Sequence, residues 1–179
     1  MKISIALLMM TQLAYAGYDG KTDGFYLKHF AKVNDNVASD CTKLNGRVYR
    51  GGVPDLKTDK WIKKLKEEGI QLVVDLRHEG IGLTKEKSIL EKNNIKYILI
   101  PIDNVKYNKA PVVDLFWKTT YEVKNSNDRV YVHCQRGEDR TGVFIGTMRT
   151  CPSWKTEFKD FGGVLYPSLK ELMEDIDKD

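Results

Sequence analysis

An α/β fold, with a central and mostly parallel sheet flanked by helices, is predicted by three observations in the sequence. Short apolar runs recur along the chain, each suited to a strand buried on both faces. Between them lie segments with apolar residues at helical spacing, bounded by turn signals. The third observation is the run from Val130 to Gly142, Val-Tyr-Val-His-Cys-Gln-Arg-Gly-Glu-Asp-Arg-Thr-Gly, which reads as a strand, a tight loop and a helix start. Open α/β sheets place ligands at the carboxyl ends of their strands, so this loop is the first place to look for a site.

The elements follow in order. Gly17 to Asp40, polar and partly glycine-rich, reads as an irregular arm. Asp59 to Glu68 carries Trp61, Ile62 and Leu65 on one helical face and stops before Gly69, a helix-ending signal. Leu72 to Leu76 and Tyr97 to Ile100 read as buried strands, with a helix bearing Ile89 and Leu90 between them, N-capped by Thr84. Pro111 fits the first turn of the next helix, which carries Val112, Leu115, Phe116 and Val123. Val130 to Val132 feeds the loop, and Val143, Phe144, Ile145 and Met148 make an apolar helix behind it. Ser168 to Asp179 reads as a last amphipathic helix with an acidic end. Tyr97, Phe116, Trp117 and Tyr121 are assigned to the core, and Lys21, Lys28, Lys43, Arg47, Lys106 and Lys109 to solvated surface. No repeat, low-complexity tract or linker divides the chain.

The loop holds Cys-x5-Arg, a spacing that builds an anion cradle. Five residues wrapped between a strand end and a helix N-terminus can turn successive backbone N–H groups inward, and the helix dipole adds positive potential. The amides from Gln135 through Arg136, Gly137, Glu138 and Asp139 to Arg140 are therefore the expected phosphate ligands. The same field stabilises a thiolate at Cys134, whose ordinary pKa of about 8.5 would leave it mostly protonated at neutral pH. Arg140 offers a planar, bidentate fork to two phosphoryl oxygens, and Gly137 lets the backbone turn and approach closely. Thr141 sets a hydroxyl beside the sulfur, and His133 fits a role in fixing the loop by hydrogen bonds.

This segment resembles the signature His-Cys-x-x-Gly-x-x-Arg-Thr-Gly of the cysteine-dependent protein tyrosine phosphatase superfamily, in the style of its compact bacterial dual-specificity and phytase-like members. Two further segments carry the resemblance in the family's order. Tyr49-Arg50-Gly51-Gly52-Val53-Pro54 is similar to its first-strand Tyr-Arg-Ser-x-x-Pro motif, with Gly51 where that motif has serine. Asp75-Leu76-Arg77-His78-Glu79 is similar to its Asp-Leu-Arg-x-Glu segment. The resemblance implies a dual-specificity-phosphatase-like sheet and brings Arg50, Arg77 and His78 beside the cradle as possible substrate contacts, with structural ion pairing as the alternative.

A phosphomonoester needs its leaving oxygen protonated, so a carboxylic acid must stand opposite the sulfur. Asp103, in the loop Ile100-Pro101-Ile102-Asp103-Asn104, lies where the resembling family carries its general-acid loop. Asp139 is the alternative, because the Asp-Arg-Thr ending of the cradle is similar to that of certain lipid-active members, and carboxylates also favour a helix N-terminus. Only three histidines are present and no metal-ligand spacing stands out, so neither a metal nor a cofactor is expected.

Residues 1–16 read as a signal peptide: Lys2, an apolar stretch from Ile3 to Met10, and Ala14-Tyr15-Ala16 as the cleavage site. The stretch is too short to span a bilayer, and export to the periplasm or medium is expected, with residues 17–179 as a single phosphatase domain. In an oxidising compartment Cys41 and Cys151 can pair, leaving Cys134 for catalysis; two unpaired cysteines, or a reversible Cys41 to Cys134 bridge, are the alternatives. A formal net charge of +4 suits an anionic substrate but is too mild to indicate nucleic-acid binding. The expected activity is hydrolysis of phosphomonoesters through a cysteinyl-phosphate, on inositol polyphosphates by resemblance and export, with phosphoproteins or phosphoinositides as the alternative. A monomer is expected. A non-catalytic phosphate-binding module would have lost Cys134, Arg140 or Asp103, and all three are present. Low-molecular-weight phosphatases and arsenate reductases carry the loop near the chain start, and a sulfurtransferase would not need Asp103.

Overall fold

In the computed structural model the described residues are 27–35, 41–78, 80, 82–103, 106, 110–149 and 169. The expected signal peptide and residues 17–26 and 36–40 of the arm lie outside them, as does the expected last helix except for Leu169, which is buried in the core.

Five strands among these residues form one sheet. They are β1 (Ala31–Lys32), β2 (Val48–Gly51), β3 (Leu72–Asp75), β4 (Lys96–Leu99) and β5 (Val130–His133), in the order β1-β2-β5-β3-β4. All pairings are parallel except β1 with β2. The antiparallel β1 corrects the irregular arm: two residues are too few to show an alternating pattern, and the pairing of Ala31 with Arg50 depends on a neighbour distant in sequence.

The central strands are apolar on both faces, and the two-residue side-chain period divides them between two cores. Val48, Leu72, Val74, Val130 and Val132 face one core with Phe116, Val143, Phe144, Ile145 and Met148. Tyr49, Val73 and Tyr131 face the other with Trp61, Ile62, Leu65 and Leu90. Helices α3 (Ala110–Asn125) and α4 (Asp139–Arg149) therefore cover the first face, and α1 (Lys60–Glu67) and α2 (Leu83–Lys92) the second.

Helix α1 ends as the sequence predicts. Gly69 takes φ +68, and the amide of Ile70 donates to the carbonyl of Leu65 at 2.9 Å. Three expectations need correcting. Thr84 lies inside α2 rather than capping it; the N-cap position is Gly82 at φ 100, whose missing Cβ leaves room for Leu56. Tyr121 is 70% exposed on the outer face of α3. Arg47 is not a solvated charge: its Nη1 and Nη2 donate to the carbonyls of Val123 and Lys124 at 2.7 and 2.6 Å, closing the C-terminal end of α3.

Candidate active site

Gly51, Asp75 and His133 are neighbours in the sheet register, so the carboxyl ends of β2, β3 and β5 open at one level and the Cys134 loop leaves from their centre. The loop's carbonyls are held from outside. Cys134 O lies 3.3 Å from His133 Nδ1, and Gln135 O accepts from the Val53 amide at 3.2 Å. Arg50 Nη2 donates to Gly137 O at 2.7 Å and Glu138 O at 3.4 Å, and Glu138 O also accepts from the Gly142 amide at 2.8 Å. In a planar trans peptide the N–H points opposite to the C=O. Pinning these four carbonyls outward therefore turns the amides of Gln135, Arg136, Glu138 and Asp139 toward the concave side. The arrangement is an anion nest.

Gly137 has the left-handed φ of +84, and its amide donates to Cys134 Sγ at 3.2 Å. A Cβ built there would stand 2.3 Å from the Gly51 carbonyl carbon, so the two glycines pass backbone against backbone. Gly51 also explains its own departure from the serine of the resembling motif: a Cβ at that position would meet the Tyr131 hydroxyl at 2.6 Å. That hydroxyl donates to Gly52 O at 2.6 Å and ties β5 to the residues following β2. Gly137→Ala should lower stability by about 1–3 kcal/mol, the usual cost of a forced backbone conformation, and weaken phosphate binding in parallel. Thermal melts with and without phosphate check this.

Cys134 is buried and is the cysteine with an unbridged thiol among the described residues. Burial pushes its pKa up, but the Thr141 hydroxyl, the Arg140 charge and the amides of Thr141 and Gly137 outweigh burial and hold it below the ordinary thiol value. The Thr141 oxygen is itself buried and makes no well-formed hydrogen bond within the described residues, so the sulfur is the group it serves. Cys41 is disulfide-bonded; Cys151, the partner expected from the sequence, lies outside the described residues.

Arg140 is clamped along one edge, Nη1 donating to Leu76 O and Ile102 O, both at 3.1 Å. Its Nε is buried with no partner among the described residues. A buried N–H without an acceptor is costly, and an oxyanion in the cradle would satisfy it. The bond to Ile102 also sets the neighbouring Asp103 beside the cradle. Asp103 is half-buried, and its Oδ1 accepts from the Lys106 amide at 3.1 Å.

The other expected residues divide. Asp139 is buried at the first turn of α4, with Oδ2 3.5 Å from Arg136 Nη2. Glu138 Oε2 lies 3.1 Å from Arg136 Nε, so the two acids draw the Arg136 side chain onto the rim and offset its charge. Glu138 also lies 3.8 Å from His29, a residue of the arm that sequence reading did not single out. Arg50 and Arg77 are fully buried and hold structural positions, the alternative left open for them. Arg50 braces the loop from behind, and Arg77 donates to both oxygens of Asp75 and pairs with Glu86. His78 is exposed at the same end of the sheet.

Asp75, Arg77, Glu86 and His133 form a buried charge quartet under the cradle. His133 Nε2 lies 3.0 Å from Glu86 Oε1 and 3.8 Å from Asp75 Oδ2, and Tyr97 donates to Asp75 Oδ2 at 2.8 Å. Burial works against ionising Asp75, yet the His133 and Arg77 charges hold its carboxyl below the usual range. Asp75, Glu86 and His133 fall within 4.8 Å of one another, a spacing a cation can use, but the Arg77 guanidinium already bridges the two carboxylates. Glu86 is the member that sequence reading missed. Its signal was an acid three and four residues ahead of Ile89 and Leu90, on the buried stripe of α2.

An inositol diphosphatase of Arabidopsis thaliana is 27% identical over 121 residues, 65% of this chain and 56% of that protein. An inositol diphosphatase of Saccharomyces cerevisiae is 25% identical over 135 residues, 71% of this chain and 46% of its own length. The chain thus spans about half the length of these relatives. In fold it is similar to the core catalytic domain of the S. cerevisiae PP-IP phosphatase solved with citrate, with TM-score 0.54, 18% identity, and 78% and 84% of the two chains covered. It is likewise similar to human DUSP28, with TM-score 0.53, 10% identity, and 81% and 97% covered. The sequence profile of the tyrosine phosphatase family matches residues 37–167, well over half of the chain and the whole of the cradle, so the chain belongs to the tyrosine phosphatase family.

Proposed function

We propose that the protein is a cysteine-dependent phosphatase acting through a cysteinyl-phosphate on phosphorylated inositols, inositol diphosphates included. The observation that carries this reading is the pairing of a thiol held below its ordinary pKa with a nest of inward amides and an Arg140 Nε that has no partner among the described residues. The Cys134 thiolate attacks phosphorus in line; the S–P bond forms as the P–O bond breaks, and Asp103 gives its proton to the leaving oxygen. Asp103, now a carboxylate, takes a proton from water as the water attacks the same phosphorus, and the S–P bond breaks to return the thiolate. The amides and Arg140 stabilise the equatorial oxygens in both steps. Support for the substrate class comes from the two inositol diphosphatase relatives.

A second reading has an observation in its favour. Glu138 and Asp139 offset the Arg136 charge at the rim, and the weaker positive potential suits a phosphopeptide better than a dense polyanion. Turnover of phytate, inositol diphosphates, phosphoinositides, phosphopeptides and an aryl phosphate, with Cys134→Ser as the blank, decides between them. Inositol phosphates are expected to give the highest kcat/KM, and a phosphopeptide preference would replace the first reading with the second. Export belongs to the same proposal: the mature protein should begin near Gly17, and intact Met1 in secreted material, read by mass spectrometry, would defeat that part.

A further inference from the structure

We propose that Glu86, on α2, is a positioning residue for the nucleophile: it holds the His133 ring as an imidazolium whose Nδ1–H fixes the Cys134 carbonyl and so aims the Gln135 amide into the cradle. The inference rests on Cys134 as the reacting group and extends that site by a residue on a separate helix.

The ring sits between acceptors. Nε2 faces the carboxylates of Glu86 at 3.0 Å and Asp75 at 3.8 Å, while Nδ1 faces the Cys134 carbonyl at 3.3 Å. A neutral imidazole carries one N–H, so either tautomer sets a lone pair against an oxygen. His133 is fully buried, and only the doubly protonated ring suits both sides. The charge count agrees, since Asp75 and Glu86 are matched by Arg77 and His133. The remaining groups on the network are Tyr131, stacked on the ring at 5.3 Å, and Tyr97, bound to Asp75; neither supplies positive charge. Burial disfavours the cation, but the charges of Asp75 and Glu86 prevail and push the His133 pKa from 6.5 up to about 9.

Both acids raise the ring's pKa, and Glu86 is the one with an oxygen left over for it. Asp75 is already occupied by the Nε, Nη2 and amide of Arg77 and by Tyr97. Glu86 Oε1 has no other partner among the described residues, and its contact with Nε2 does not meet hydrogen-bond geometry. A carboxylate charge this close to Nε2 favours the protonated ring, and glutamine lacks that charge.

Nitrogen NMR of histidine-labelled protein tests this directly, with His29→Gln and His78→Gln used for assignment. His133 should stay doubly protonated through neutral pH and titrate near 9. In Glu86→Gln that ionisation should fall by about one unit or more, the usual scale of such shifts. Its kcat should be near wild type at low pH, where the ring is still charged, and drop roughly tenfold for each pH unit above the lowered pKa, with KM little changed. Alkylation of Cys134 by iodoacetamide should change rate over the same range, as the loop around the sulfur loses its fixed carbonyl. A purely structural role would lower kcat evenly at all pH values. A neutral His133 at pH 7 in the wild-type protein overturns the proposal, as does an unchanged pH dependence in Glu86→Gln. Should that variant fail to fold, the wild-type titration still decides. Neither the titration nor the alkylation needs a substrate, so a wrong substrate class leaves both readouts intact.

Discussion

Cys134→Ser should abolish turnover of every phosphorylated substrate while phosphate binding survives. The sulfur is held below its ordinary pKa by Thr141, Arg140 and two amides despite burial. A serine hydroxyl in the same place stays protonated, because those groups cannot offset a starting pKa so much higher. Loss of at least about 10³-fold in kcat is expected, the scale on which removing a covalent nucleophile acts. Binding should persist or tighten, since the inward amides and Arg140 Nε remain while the thiolate that repels a phosphate dianion is gone. Calorimetry with inorganic phosphate or vanadate measures this arm, and turnover assays the other. Substantial activity in Cys134→Ser would sink the covalent mechanism, whereas loss of binding together with activity would mean that the sulfur also shapes the loop.

The centre of this site was legible in the sequence because its geometry is local. Seven consecutive residues, running from the end of β5 into the first turn of α4, supply the nucleophile, the amides and the arginine, and the strand-to-helix context is written in the flanking apolar residues. What holds the loop was harder to read. Arg50 reaches Gly137 across 87 positions, and a buried arginine and a substrate-binding arginine at a strand end look the same until the sheet order is known. Glu86 became part of the site only because α2 packs its apolar stripe over Tyr131 and Val73, which carries the acid onto His133. The two-residue β1 and the approach of His29 to Glu138 depend likewise on an arm whose own composition gives no period. Arg47 shows the converse: a charge near a strand looks solvated in the sequence and in space closes a helix end.

Asp103→Asn and Asp139→Asn should separate the two candidate acids by leaving group. Arg140 bonds the carbonyl before Asp103 and so holds that residue at the cradle, whereas Asp139 is buried at the start of α4 and turned to Arg136. An inositol alkoxide leaves poorly without a proton, while an activated aryl oxide, or the inositol-bound phosphate left when a diphosphate gives up its outer phosphoryl group, leaves nearly unaided. Removing the true acid should therefore cost roughly 10²–10⁴-fold with a monoester of inositol and far less with an aryl phosphate or an inositol diphosphate. Asp103→Asn is expected to show that contrast and to flatten the alkaline limb of the pH profile. Asp139→Asn removes a partner of Arg136 at the helix start and should depress all substrates alike by altering the loop. The contrast also bears on the substrate. If the diphosphate is the preferred substrate, Asp103→Asn retains most of its activity on it and loses phytate, and the acid then sets which phosphates the protein removes. Leaving-group dependence in Asp139→Asn and its absence in Asp103→Asn would reverse the assignment, moving proton delivery from the loop after β4 to the first turn of α4.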